Sequence, residues 1–117
     1  MKFELVGENV VYVNSDELVI TDAQAVLDLI ATVRYETKCD RIIVDKCVVS
    51  EDFFRLSTGV AGEILQKFVN YQMKLAIVGE FSKYTSKPLQ DFIYESNKGK
   101  DFFFVATLEE AKKRLSV

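Results

Sequence analysis

A chain of 117 residues, 49% hydrophobic and 28% charged, holds one domain that buries roughly two thirds of its unfolded surface, which excludes a disordered or low-complexity protein. Its net charge of −3, with no long run of Lys or Arg, supplies no electrostatic footprint for nucleic acid. No apolar stretch reaches membrane-spanning length, and the start MKFELVGENV alternates and carries two Glu, unlike a secretion signal, so a cytoplasmic protein is expected.

Lys2 to Val6 and Val10 to Val13 read as the strands of a hairpin, separated by Gly7-Glu8-Asn9. Thr21 with Gln24 three positions on makes a capping box, and Ala23, Val26, Leu27, Ile30 and Val33 mark the buried stripe of a first helix near 22–36. Ile42, Ile43 and Val44 form the next strand, with Asp45 at its C-terminal end. Cys39 and Cys47 flank that strand, whose length holds them too far apart for an easy disulfide. Both are expected to be buried or semi-buried free thiols, and in a chain with no His they make a weak metal site.

The longest connection runs from Asp45 to Gly59, with Ser50 capping a short turn anchored by Phe53 and Phe54. Val60, Ala61, Ile64, Leu65, Phe68 and Val69 then trace one apolar stripe of a helix near 59–72, with Glu63, Lys67 and Asn70 opposite. Leu75 to Val78, ended by Gly79, is a continuous apolar run, the mark of a strand covered on both faces. A polar loop from Glu80 to Ser86 leads to a third helix near 88–97, with Pro88 by its first position and Leu89, Phe92 and Ile93 inward. Phe102 to Val105 is the last strand. Thr107 and Glu110 open a final helix near 108–115, striped by Leu108, Ala111 and Leu115.

Buried strands alternating with helices predict a single α/β domain over residues 1–117: an N-terminal hairpin, then strand-helix turns on a mostly parallel sheet with right-handed crossovers. Ligands of such sheets bind at the carboxyl ends of the strands. That rule gathers Asp45, the Ser57-Thr58-Gly59 turn, and Glu80 and Ser82 up to Lys83 on one edge. Ser57 or Thr58 could bind an anion or accept a phosphate at a helix N-terminus; the plainer reading is that one hydroxyl caps the helix. Asp45 and Glu80 could pair for acid-base work or a divalent cation, but no His or third acidic ligand stands with them. Gly59 and Gly62 fit neither a Walker nor a dinucleotide fingerprint, so no nucleotide and no other cofactor is expected. Phe81, Tyr84 and Tyr94 form either an exposed aromatic edge or a partly buried one with the Tyr hydroxyls in water.

Arg55 to Gly62 (RLSTGVAG), Leu65 to Asn70 (LQKFVN), Leu75 to Phe81 (LAIVGEF) and Asp91 to Asn97 (DFIYESN) closely resemble the bacterial family catalogued as domain of unknown function 4180. That resemblance covers nearly the whole chain and implies a bacterial, cytoplasmic, single-domain protein without an established activity. The element order is also similar to the STAS fold of anti-sigma-factor antagonists, in which a partner kinase phosphorylates a serine before the second helix. That pattern is Asp-Ser-x-Gly; Ser57-Thr58-Gly59 matches Ser-x-Gly, with Leu56 in place of the Asp and a longer connection from Asp45. The expectation is a non-enzymatic, STAS-like interaction or regulatory module that meets a protein partner through the face around Ser57. The alternative is a small-molecule-binding protein or small enzyme using Asp45, Ser57 and Glu80. Neither membrane nor nucleic acid is an expected partner, and the oligomeric state is left open.

Overall fold

The computed structural model describes residues 1–116. β1 (Lys2–Gly7) and β2 (Val10–Asn14) form the hairpin, α1 (Ala23–Thr37) leads to β3 (Arg41–Asp45), and α2 (Val60–Asn70) leads to β4 (Lys74–Val78). α3 (Lys87–Lys98), β5 (Phe102–Val105) and α4 (Leu108–Leu115) complete the order. The strands lie side by side in chain order, β1-β2-β3-β4-β5, as a mixed sheet: β1 runs antiparallel to β2 at one edge, and the other three pairings are parallel.

Two cores follow from the two faces of that sheet. Alternate residues Val11, Val13, Ile42, Val44, Leu75, Ile77 and Phe104 point to the face that holds α1, α2 and α3. Val10, Ile43, Ala76, Phe103 and Val105 point to the other, where α4 packs Ala111 and Leu115 onto them. The interior strands are buried on both sides, as their unbroken apolar runs require. α4 packs chiefly against β3, β4 and β5, and Val10 of β2 joins the same cluster.

The cap of α1 is Asp22, not Thr21: its carboxylate accepts from the Ala25 N–H at 2.9 Å, and Gln24 donates to Asp28 instead of turning back to the cap. With that start, the buried stripe is Val26, Leu29, Ile30 and Val33, while Ala23 and Leu27 are only half-buried. In α2 the stripe is Ala61, Ile64, Leu65 and Phe68. Val69 lies roughly a quarter turn from its centre and is 47% exposed. Thr107 caps α4 as expected, accepting from the Glu110 N–H at 3.1 Å.

The chain after β2 and the chain after β3 bind each other. Ile20 bridges Val49, the Val19 N–H donates to the Val48 carbonyl at 2.8 Å, and the Ser50 N–H donates to the Ile20 carbonyl at 2.8 Å. Ile20, Val48 and Val49 are buried as a result, which closes the core at the strand C-terminal end.

Candidate functional site

The parallel strands carry Asp45 and Gly79 out at the same edge, and the residues just past them form a rim. Asp45 shares the sheet face of Ile43 and Tyr12, and it accepts a hydrogen bond from the Tyr12 hydroxyl. That bond, with added burial, pushes the Tyr12 phenol up to about 12.

Lys46 follows, its side chain only 14% exposed. Its ammonium lies 5.0 Å from the Tyr84 ring centre and 5.4 Å from that of Phe54, two rings stacked 5.2 Å apart, and 3.3 Å from the Glu51 carboxylate. The Tyr84 hydroxyl donates to the same carboxylate at 3.1 Å. Burial acts against the Lys46 charge, but Tyr84 and Glu51 outweigh it and its pKa is raised. Burial likewise acts against ionised Glu51, yet Tyr84 and Lys46 hold it below the usual carboxylate range. Tyr84 is raised, first by burial and then by Glu51, with Lys46 opposing. The three groups therefore hold one another in their ordinary charge states.

Glu80 is exposed and accepts from the Ser82 N–H at 2.8 Å; hydrogen bonding from Ser82, first through its side chain and then through this N–H, lowers its pKa. Asp45, Lys46, Cys47, Val78, Gly79, Glu80 and Lys83 together line a shallow depression of about 390 Å³. Asp45 and Glu80 are thus brought to one surface. Ser57, Thr58 and Gly59 lie outside that lining, in the 3₁₀ turn Leu56–Thr58 and the left-handed residue before α2.

Gly59 is the N-cap of α2 and no side chain caps the helix there; the Thr58 hydroxyl accepts from the Val60 N–H at 3.2 Å and lies 2.8 Å from the Asp52 and Arg55 carbonyls. The Asp52 contact ties this turn to the turn Glu51–Phe54, which carries Glu51 and is capped by Ser50. Ser57 is exposed. Gly59, at φ 77°, has the left-handed backbone that glycine adopts without strain.

Phe81, Tyr84 and Tyr94 do not share one edge. Phe81 and Tyr84 are half-buried against the aromatic cluster of Phe54 and Phe104, the Tyr84 hydroxyl is bound to Glu51, and Tyr94 stands apart at 62% exposed. Both cysteines are free, but only Cys39 is buried; Cys47 sits in the 3₁₀ turn just beyond β3, on the rim, and is exposed. Tyr12, Lys46 and Glu51 are rim residues that the sequence does not single out, and Tyr84 is singled out there only as part of an aromatic edge. Tyr12 and Asp45 stand 33 residues apart and meet through the sheet register, whereas Glu51 and Tyr84, also 33 apart, meet where the turn after β3 and the loop before α3 come together.

A wider groove of about 850 Å³ lies at the opposite end of the sheet, between the β1–β2 turn and α4. It mixes Glu8, Glu109 and Glu110 with Arg41, Lys112 and Lys113, a lining without a dominant sign of charge. Among the described residues, no three His, Cys, Asp or Glu are placed to hold a metal ion, and no helix is long and apolar enough to cross a membrane.

A mixed-sheet α/β domain with a polar rim at its strand C-terminal end is the class that fold and site define. The chain belongs to the family described as Domain of unknown function (DUF4180), whose model matches residues 6–115. No curated protein and no solved structure matches the chain.

Proposed function

We infer that the protein is a non-catalytic, STAS-like interaction module that meets a protein partner through the strand-end rim and the neighbouring Ser57 turn. The observation that carries this reading is the rim itself, a shallow surface on which Lys46 pairs with Glu51, Asp45 accepts from the Tyr12 hydroxyl and Glu80 accepts from the Ser82 N–H. Acid-base catalysis needs a group whose pKa is drawn toward neutral. Here Lys46, Tyr12 and Tyr84 move up while Glu51 and Glu80 move down, each away from neutrality. A nucleophilic role for Ser57 would also need a base within about 3 Å. Asp45 and Glu80, the carboxylates of the enzymatic alternative, line a depression from which Ser57 is absent.

Ser57 has the properties of a switchable contact. Ser57 is exposed, two residues before Gly59 and the N-terminus of α2, where added negative charge is tolerated. Affinity capture from the native cell with wild-type, Ser57→Asp and Ser57→Ala bait tests the reading. One partner should be held by wild type and Ser57→Ala and lost, or newly gained, with Ser57→Asp, while all three baits unfold at the same urea midpoint. Identical captures from all three would overturn it.

A further inference from the structure

The two edges of the sheet are finished differently. At the β5 edge, the Asn97 side chain of α3 accepts from the Phe104 N–H at 2.8 Å and donates to the Phe104 carbonyl at 3.1 Å. A side-chain amide thus stands where the backbone of a sixth strand would bind. At the other edge, β1 pairs with β2 on one side, and its outer side holds no further strand among the described residues. An unpaired strand edge is a template for another strand unless it is blocked.

The residues of β1 state which strand would fit. Within β1, Lys2 and Glu4 point to one face of the sheet and Phe3 and Leu5 to the other, and continuing the alternation by one residue would set Met1 beside Phe3. Phe3 packs against the larger core, whereas Met1 is 67% exposed and Leu5 is 68% exposed on either side of it. Met1 lines a groove of mixed polarity with Asp16, Glu17, Leu18, Asp28 and Leu29. Between Leu5 and Gly7 the register with β2 slips, which ends the regular stretch of edge at Leu5.

We propose that β1 pairs antiparallel with β1 of a second copy of this chain, across a two-fold axis at Phe3, to make a continuous ten-stranded sheet. Facing residues in an antiparallel pair share a face, so a two-fold that keeps the helical face continuous must pass beside a residue and its own copy. At Phe3, each Lys2 faces Glu4 of the other copy, each Met1 faces Leu5, and the two Phe3 rings meet between them. Both charges and both exposed apolar side chains are matched twice. An axis at Glu4 would instead set the two carboxylates against each other, and an axis at Leu5 would set Phe3 against Gly7 beyond the slip. The charges on β1, a usual defence of an edge, here select one register because they are opposite in sign.

Sedimentation velocity over a dilution series reads this directly, with circular dichroism as the check on fold. Wild type should dimerise. Lys2→Glu and Glu4→Lys, both at exposed positions, each turn the two attractive cross-pairs repulsive and should weaken self-association by on the order of tenfold or more. An equimolar mixture of the two variant chains should recover a dimer, because one chain then brings two acids and the other two bases. The exchange Lys2→Glu with Glu4→Lys in one chain should recover it as well. A wild-type protein that stays monomeric, a dimer indifferent to both single substitutions, or a mixture that fails to reassociate would each overturn the proposal.

Discussion

Lys46 and Gly79 approach so closely that a β-carbon on residue 79 would lie 2.6 Å from the Lys46 Cβ. The glycine is needed for space and not for its backbone angle, since Gly59 is the only glycine of positive φ among the described residues. Because the obstacle is the root of the Lys46 side chain and not its mobile tip, relief requires the backbone at the end of β3 to shift. Gly79→Ala should therefore cost about 1–3 kcal/mol, as overpacking does, and should loosen Lys46 from Glu51 and Tyr84. A urea midpoint equal to that of wild type would show that the rim absorbs a methyl group without strain.

Phe68 is fully buried on the inner face of α2 and meets Phe102 edge-on at 6.3 Å between ring centres. Phe68→Ala should lower stability by about 3–5 kcal/mol, a large part of what holds a small domain together. Val69→Ala, one residue on and 47% exposed, should stay within about 0.5 kcal/mol of wild type. Similar urea midpoints for the two variants would contradict the assignment of the stripe.

The Tyr12–Asp45 bond makes alkaline stability depend on a named group. The phenol is held above its ordinary value of 10.0, at about 12, so the folded state binds that proton more tightly than the unfolded chain does. This contribution is whole below pH 10 and is lost as pH rises toward 12; Lys46 and Tyr84, also raised, act in the same direction. Tyr12→Phe should flatten the fall in stability across that interval, measured by urea unfolding at graded pH. In the folded wild type, tyrosinate absorbance should show a phenol still titrating near pH 12 that is missing from the variant. Superimposable profiles would deny the bond its role.

Asn97 closes the β5 edge with one donor and one acceptor. Asn97→Ala leaves the Phe104 N–H and carbonyl to compete for water in a half-buried place, at a cost of about 1–3 kcal/mol. Asn97→Asp keeps the acceptor but sets a carboxylate against a carbonyl, so it should recover only part of the loss. Full recovery with Asp would mean that the donated bond contributes nothing.

The interior strands are legible because an unbroken apolar run such as Ile42-Ile43-Val44 fits only a place covered on both sides. The stripe of α1 is less so. Val26, Leu27, Leu29, Ile30 and Val33 allow more than one phase, and the sheet face that meets the helix selects Leu29 over Leu27. Asp45 and Glu80 reach one surface because both follow the ends of parallel strands, a consequence of element order alone. The remaining rim contacts depend on register and on where separate turns meet. Tyr12 meets Asp45 only because β2 pairs β3 with Tyr12 opposite Ile43, two residues from Asp45 and on its face. Lys46 looks like a solvated charge until two distant turns bring Phe54 and Tyr84 over it.

The central claim, that the strand-end rim and the Ser57 turn form a protein-contact surface, is tested most directly by site-specific photo-crosslinking in the native cell. A photoreactive side chain would be placed at Ser57, at Lys83 on the rim, or at Tyr35, which is exposed on α1. Crosslinks from positions 57 and 83 to one and the same protein, with none from position 35, are the predicted result. No crosslink from 57 and 83, or the same product from all three positions, would contradict the account.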